Sequence, residues 1–158
     1  SNGDGEPDTV VVRGGDTMPG IPKHNFKIRA DYAVTSTVNV GLNVVFASNQ
    51  FARGDENNQD ANGKIPSYTV VNLDARWNIT KQLQVFGRVN NLFDKEYAVS
   101  GVVGRNFFLG QNFTFDPATA ENEQFRTPGA PRAFFVGVRY EFGRPESTRS
   151  GAGAPNDD

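Results

Sequence analysis

The sequence predicts an all-β chain: an antiparallel transmembrane β-barrel segment of about five strands. Three observations point there. Successive windows of about ten residues alternate between an apolar and a polar face, which is the period of a strand lying between two different surroundings. The connections between them run short (34–37), long (52–66), short (78–81) and very long (92–131). Tight turns therefore collect at one edge and long loops at the other, the habit of a membrane barrel. Finally, no window repeats apolar residues at i, i+3, i+4 and i+7 over three turns, so essentially no helix is expected.

Residues 1–23 carry Gly3, Gly5, Gly14, Gly15, Gly20, Pro7, Pro19 and Pro22 and read as a loop, with at most a short strand at 9–12. The first strand, 24–34, sets Phe26, Ile28, Ala30 and Tyr32 against Lys27, Arg29 and Asp31. The second, 38–51, sets Val38, Val40, Leu42, Val44 and Phe46 against Asn39, Gly41 and Asn43. A polar, Asn/Asp-rich loop follows. The third strand, 67–78, sets Thr69, Val71, Leu73, Ala75 and Trp77 against Asn72, Asp74 and Arg76. The fourth, 82–91, sets Val85, Gly87 and Val89 against Phe86, Arg88 and Asn90, and leads into an Asn-Asn-Leu-Phe-Asp corner. A loop of roughly 40 residues comes next, carrying Phe107, Phe108, Phe113, Phe115 and Phe125. The last strand, 132–142, sets Phe134, Val136, Val138, Tyr140 and Phe142 against Phe135, Gly137, Arg139 and Glu141. The tail, 143–158, is rich in Pro, Gly, Ser and Asp and is expected to be disordered.

Alternation alone also suits a soluble one-sided sheet; the loop pattern favours the membrane. Ten residues rising about 3.3 Å each, tilted near 45°, cover roughly 25 Å, the height of a barrel's apolar band. Rings near the strand ends (Trp77, Tyr140 and Phe142 at the short-turn side, Phe51 and Tyr68 at the long-loop side) suit interfacial girdles.

Composition narrows the function. The net charge of −2 offers no basic face for a nucleic acid. With no Cys, disulfides, thiolate zinc sites and thiol catalysis are excluded together. His24 is the single histidine, so neither a His-anchored metal site nor a Ser/His/Asp set is expected. The run from Asp55 to Asp60 lacks the Gly at position 6 and the Glu at position 12 of an EF-hand loop, where Asp60 and Pro66 stand. Arg53-Gly54-Asp55 is an integrin-type tripeptide, and so short a match arises readily by chance. No apolar run is long enough for a transmembrane helix, and no secretory signal opens the chain. The chain is expected not to be an enzyme and to need no cofactor and no metal.

The motif VNNLFDKEY (89–97), followed by a last strand ending RYEF (139–142), resembles the C-terminal portion of TonB-dependent outer-membrane receptors. PGIPKH (19–24) is similar to that family's PGxPxH entry into a strand, IPSYTVVNL (65–73) to its strand motif, and PGAPR (128–132) to its approach to the final strand. The similarity covers about residues 19–142. It implies a bacterial outer-membrane location and about five strands of a 22-stranded barrel filled by a plug. Short turns would be periplasmic, long loops extracellular, 1–23 an extracellular loop segment, 24–142 the C-terminal strands and 143–158 a periplasmic tail. Asn90, Asn91, Leu92, Phe93, Asp94, Tyr97 and Phe142 are the matching signature residues. The terminal aromatic is what the barrel-assembly machinery reads, although sixteen residues follow Phe142 here.

The implied function is TonB-dependent uptake of a scarce nutrient, above all an iron–siderophore complex. The implied partners are the remaining strands and plug of the same receptor, outer-membrane lipid, the TonB system acting through the plug, and the ferric siderophore or other small nutrient. Five strands cannot close a barrel, and an open edge in lipid costs several kcal/mol per unpaired group. The chain is therefore expected to be a C-terminal fragment, divided at an extracellular loop, with companion strands supplied by another polypeptide. Arg105, Phe107, Phe108 and Arg126 are candidate substrate contacts, since rings and guanidinium groups hold a planar anionic chelate; the same rings also suit packing of the loop upon itself. Asp74, Arg76, Arg88 and Arg139 are expected to face the lumen. Two other readings compete: a soluble β-sandwich or lipocalin-like binding module, and a small homo-oligomeric outer-membrane barrel. A chain monomeric and folded without detergent would favour the soluble module.

Overall fold

The computed structural model describes residues 10–143. Among these residues seven strands form: β1 (Asn25–Ala33), β2 (Val38–Ala47), β3 (Tyr68–Asn78), β4 (Leu83–Asn90), β5 (Ala98–Asn106), β6 (Glu121–Pro128) and β7 (Ala133–Tyr140). β1, β2, β3, β4 and β7 make one antiparallel sheet in that order, and β5 and β6 make a separate hairpin.

The register turns the alternation of each strand into two continuous faces, because a one-residue slip would send every side chain to the other side. Ile28 lies opposite Val44, Val44 opposite Val71, Leu73 opposite Val89, and Val89 opposite Phe134. Arg29 lies opposite Asn43, Asn43 opposite Asn72, Asp74 opposite Arg88, and Arg88 opposite Phe135. One face is thus aliphatic and aromatic from β1 to β7, and the other carries the charges.

Among the described residues nothing covers the apolar face: Ile28 is 64% exposed, Phe134 69% and Val136 82%. A soluble monomer rarely tolerates so broad a patch, whereas hydrocarbon makes it favourable. The buried side chains lie instead at the long-loop edge: Ala47, Gln50, Ala52, Asp55, Ile65, Val70 and Asn91.

The structure departs from the sequence-based expectations at that edge. The connection 92–131 is not one strandless loop. It contains β5 and β6, with a bulge between Ala98 and Ser100 and two short 3₁₀ turns at Gln111–Phe113 and Pro117–Thr119. The second strand ends at Ala47 rather than at 51, because Gln50 turns away to pair with Ile65. Tyr68 does not join an outer girdle. Tyr68 shares its parity with Val70 and Asn72 and turns to the charged face against Tyr97, ring centroids 4.5 Å apart. The Lys64 ammonium sits 4.6 Å above the Phe51 ring. Of the strand expected at 9–12, Thr9 lies outside the described residues and 10–12 form no strand; the tail lies outside them beyond Gly143.

The opening segment is nonetheless held in place. Gly20 donates to the Phe51 carbonyl at 2.9 Å, and Asn58 exchanges hydrogen bonds with the backbone of Thr17.

Candidate functional site

On the charged face the strands bring Arg29, Asp31 and Asp74 together. The Arg29 guanidinium donates to both Asp31 carboxylate oxygens (2.8 and 2.6 Å) and to both of Asp74 (3.1 and 3.3 Å). This bidentate geometry matches a guanidinium fork to planar carboxylates. β1 and β3 are not neighbours, so the bridge passes over β2, and Gly41 is what lets it pass. A Cβ there would come within 2.6 Å of Arg29 Nη2 and 2.8 Å of both Asp74 carboxylate oxygens. Gly137 plays the same part on β7, where a Cβ would run into the Phe86 ring.

Asp74 lies directly opposite Arg88 in the ladder, yet its carboxylate is turned toward Arg29. Among the described residues, Arg76 and Arg88 form no ion pair. These two guanidinium groups, with Arg29, Asp74, Phe86 and Phe135, line a trough of about 500 Å³ on the charged face. Of the four residues expected to face the lumen, Asp74, Arg76 and Arg88 line this trough. Arg139 stands apart by the short turns, 2.8 Å from Glu141. Arg29 was absent from that expected set; the signal that could have found it is Arg-x-Asp on one strand face with a glycine on the next strand.

The expected substrate contacts divide. Arg105, Phe107 and Phe108 meet near the far end of the β5–β6 hairpin: Arg105 lies over the Phe107 ring at 5.7 Å, and Phe115 stacks on Phe107 and meets Phe108 edge-on, both at 5.7 Å. Arg105 also donates to the Ala120 carbonyl. Arg126 is not with them. It lies opposite Gly101, four residues along β5 from Arg105 or roughly 13 Å at strand rise, and donates to Gln124. The rings therefore both pack the hairpin tip and present surface, for Phe108 remains 48% exposed.

The corner after β4 is a clamp. Asn91 takes a left-handed conformation (φ 50°) that Asn tolerates better than most residues. Its side chain is 2% exposed and fully occupied. Nδ2 donates to the carbonyls of Lys95 (3.0 Å) and Ala130 (3.1 Å), Oδ1 accepts from Lys95 N–H (2.9 Å), and its own N–H donates to Asn72 Oδ1 (2.9 Å). Asp94 accepts from Arg132 N–H at 3.1 Å. Tyr97 lies flat against Gly129, where a Cβ would collide with its ring, and Gly129 N–H donates to its carbonyl at 2.7 Å. The two ends of the hairpin are thereby pinned to one point on the wall. Leu92 donates from its N–H to Val71 and extends that corner, while Phe93 points outward. Asn90 ends β4 opposite Ala133, and Phe142, just past β7, meets the Tyr140 ring edge-on at 4.6 Å.

The loop 48–66 is docked on the hairpin from the other side. Arg53 donates to the Gly101 carbonyl (3.0 Å) and accepts from Val103 N–H (2.7 Å), and Gln50 Nε2 donates to the Val99 carbonyl (2.8 Å). Asp55 is buried, so the Arg-Gly-Asp tripeptide does not present its carboxylate for adhesion.

Comparison with known proteins adds the following. The family model for TonB dependent receptor-like β-barrels matches residues 2–92. The probable TonB-dependent siderophore receptor PiuA of Acinetobacter baumannii is 29% identical over 113 residues, 66% of this chain and 14% of that protein. The vitamin B12 transporter BtuB of Vibrio vulnificus is 35% identical over 54 residues, 34% of this chain and 9% of that one. Among solved structures, the ferric-catecholate import receptor Fiu of E. coli K12 superposes with a TM-score of 0.58 at 20% identity, over 78% of this chain and 15% of that one. The chain spans about a seventh of the length of PiuA and less of BtuB.

Proposed function

The chain belongs to the TonB dependent receptor-like β-barrel family, and from that premise we propose that it forms part of the wall and outer loops of an outer-membrane receptor. That receptor imports a scarce nutrient, an iron–siderophore complex, by TonB-dependent active transport. The single observation that carries the reading is a five-stranded sheet whose apolar face is uncovered across its whole width while its other face is charged. Such a sheet is at home between lipid and a wet or plugged lumen.

The partners follow from the same geometry. β1 and β7 each have an open edge, which further strands of the barrel satisfy. The charged face, with Arg76 and Arg88 free of ion pairs among the described residues, meets the plug through which the TonB system acts. Phe142 serves the barrel-assembly machinery, the short turns lie in the periplasm and the long loops outside the cell. The rings and Arg105 at the hairpin tip, with Arg126 lower on the same hairpin, face the incoming ligand. The sheet carries binding and passage, with no catalytic step. Support comes from family membership and from PiuA, named a probable TonB-dependent siderophore receptor; Fiu, at 20% identity, supports the fold.

The test is uptake of radiolabelled ferric siderophores by cells with the gene deleted and restored. The reading expects uptake of at least one siderophore to fall to background on deletion, to return on restoration, and to vanish when TonB is removed. Uptake of every siderophore unchanged by deletion contradicts it.

A further inference from the structure

We infer that the trough between β3 and β4 is a socket for one acidic side chain of the plug, whose carboxylate sits between Arg76 and Arg88. This rests on the reading that the charged face lines a filled lumen, and it adds the chemistry of what fills it there. The observation is a pair of cations whose cross-strand partner is engaged elsewhere. Asp74 lies opposite Arg88 in the ladder, but both of its carboxylate oxygens accept from Arg29, at 3.1 and 3.3 Å. Asp31 is held by the same guanidinium. Among the described residues this leaves Arg76 and Arg88 without an ion pair. Three guanidinium groups against two carboxylates leave one positive charge on this part of the face, and a guanidinium cannot shed its proton to remove it. One further carboxylate restores the balance.

Register sets the spacing. Arg76 lies opposite Phe86, so Arg88, two residues further along β4, is its diagonal neighbour, with Cα atoms about 7–8 Å apart. Two guanidinium forks at that spacing can share one carboxylate, whose two oxygens accept about four hydrogen bonds between them. The trough has a volume of about 500 Å³, room for an inserted side chain, and the Phe86 and Phe135 rings wall it beside the arginines. Apolar walls keep water away and strengthen the pairing. Depth decides for the plug over the cargo. Arg76 stands eight residues along β3 from Tyr68 at the long-loop edge, roughly 26 Å at strand rise. Cargo held at the hairpin tip lies far from the pair, and cargo in transit neutralises it only in passing. A resident carboxylate neutralises it throughout.

The test uses the complete receptor, purified in detergent and carrying Arg88→Lys, which keeps the charge and supplies a primary amine. A carbodiimide joins that amine to a carboxylate in direct contact, and mass spectrometry of the digest identifies the partner. The expected partner is an Asp or Glu of the plug, and Arg76→Lys is expected to find the same residue. Should Arg88→Lys fail to assemble, as shown by loss of heat-modifiable migration, Arg76→Lys decides. Linkage only to Asp31 or Asp74, or no linkage in the assembled variants, overturns the socket. Hydrogen exchange gives a second readout. Arg88→Glu sets like charges together and is expected to raise exchange of the linked plug segment at least tenfold; reversing the linked carboxylate to Arg in the same protein is expected to restore protection. Arg139→Gln, on the same face but paired with Glu141 at 2.8 Å, is expected to leave plug exchange unchanged. Plug exchange unaffected by Arg88→Glu also overturns the socket. Uptake separates the two readings: siderophore uptake without plug linkage removes the socket and spares transport, whereas plug linkage without uptake does the reverse.

Discussion

Asn91 shows how a single residue can hold a large insertion. Its amide joins β3, the start of the long connection and its end, so four hydrogen bonds converge on one buried side chain and its own N–H. Asn91→Ala leaves buried carbonyls and N–H groups unpaired and forces alanine into a left-handed conformation. Together these are expected to cost about 3 kcal/mol. Asn91→Gly relieves the backbone strain but not the lost bonds, and should fall between. Hydrogen exchange read by mass spectrometry is the check: in Asn91→Ala, protection of 95–131 drops while β1 and β2 exchange as in the wild type. Equal protection everywhere contradicts the clamp. The sequence marked Asn91 as a turn residue, and it is one. Its partners at Lys95 and Ala130 are backbone carbonyls, which carry no residue signature, so the clamp itself was invisible. The Arg29–Asp74 bridge was hidden for a different reason: it skips a strand, and only Gly41 in the register shows that the path is open.

At the scale of elements, the wall strands were legible because period-two alternation with a pure apolar face is a strong pattern, repeated in each of them. β5 and β6 were not, and their composition explains it. β6 reads ENEQFRTP, with a single large apolar residue, and β5 carries two glycines among its nine residues. Neither strand is patterned for two distinct surroundings. The hairpin is held by its own ladder, by the strap from Arg53 and by the Asn91 clamp, none of which alternation reports. The contrast between faces gives a prediction within β2. Leu42→Arg puts a charge on the apolar face near mid-strand and is expected to cost about 2–4 kcal/mol, the range for a barrel's lipid face at the bilayer midplane. Asn43→Arg, one residue on, puts the same charge on the face already holding Arg29 and Arg76 and should cost less than about 1 kcal/mol. Reversible unfolding in liposomes measures both; equal costs would mean that the two faces meet the same medium.

For the whole molecule, what matters is that the sheet has no core of its own. Among the described residues both of its faces and both of its edges are open, and side chains are buried only in a small cluster where loops and hairpin meet. A wall of this kind is stable only when lipid meets one face, further protein or water meets the other, and further strands meet the edges. That is why the apolar face can be so exposed without the chain being a misfolded soluble domain, and why the charged face can keep Arg76 and Arg88 without ion pairs among the described residues. The central claim is therefore the sidedness of the sheet in a membrane. The chain has no native cysteine; with any cysteine elsewhere in the receptor replaced, single cysteines at 71, 72, 73, 74, 75 and 76 along β3 can each carry a nitroxide label in the receptor reconstituted into liposomes. Collision with dissolved oxygen, which concentrates in lipid, and with a water-soluble nickel chelate is then measured at each site. The account predicts a strict alternation, with labels at Val71, Leu73 and Ala75 reached by oxygen and shielded from the chelate, and those at Asn72, Asp74 and Arg76 not favouring oxygen. Equal accessibility along the strand, or the opposite alternation, would contradict it.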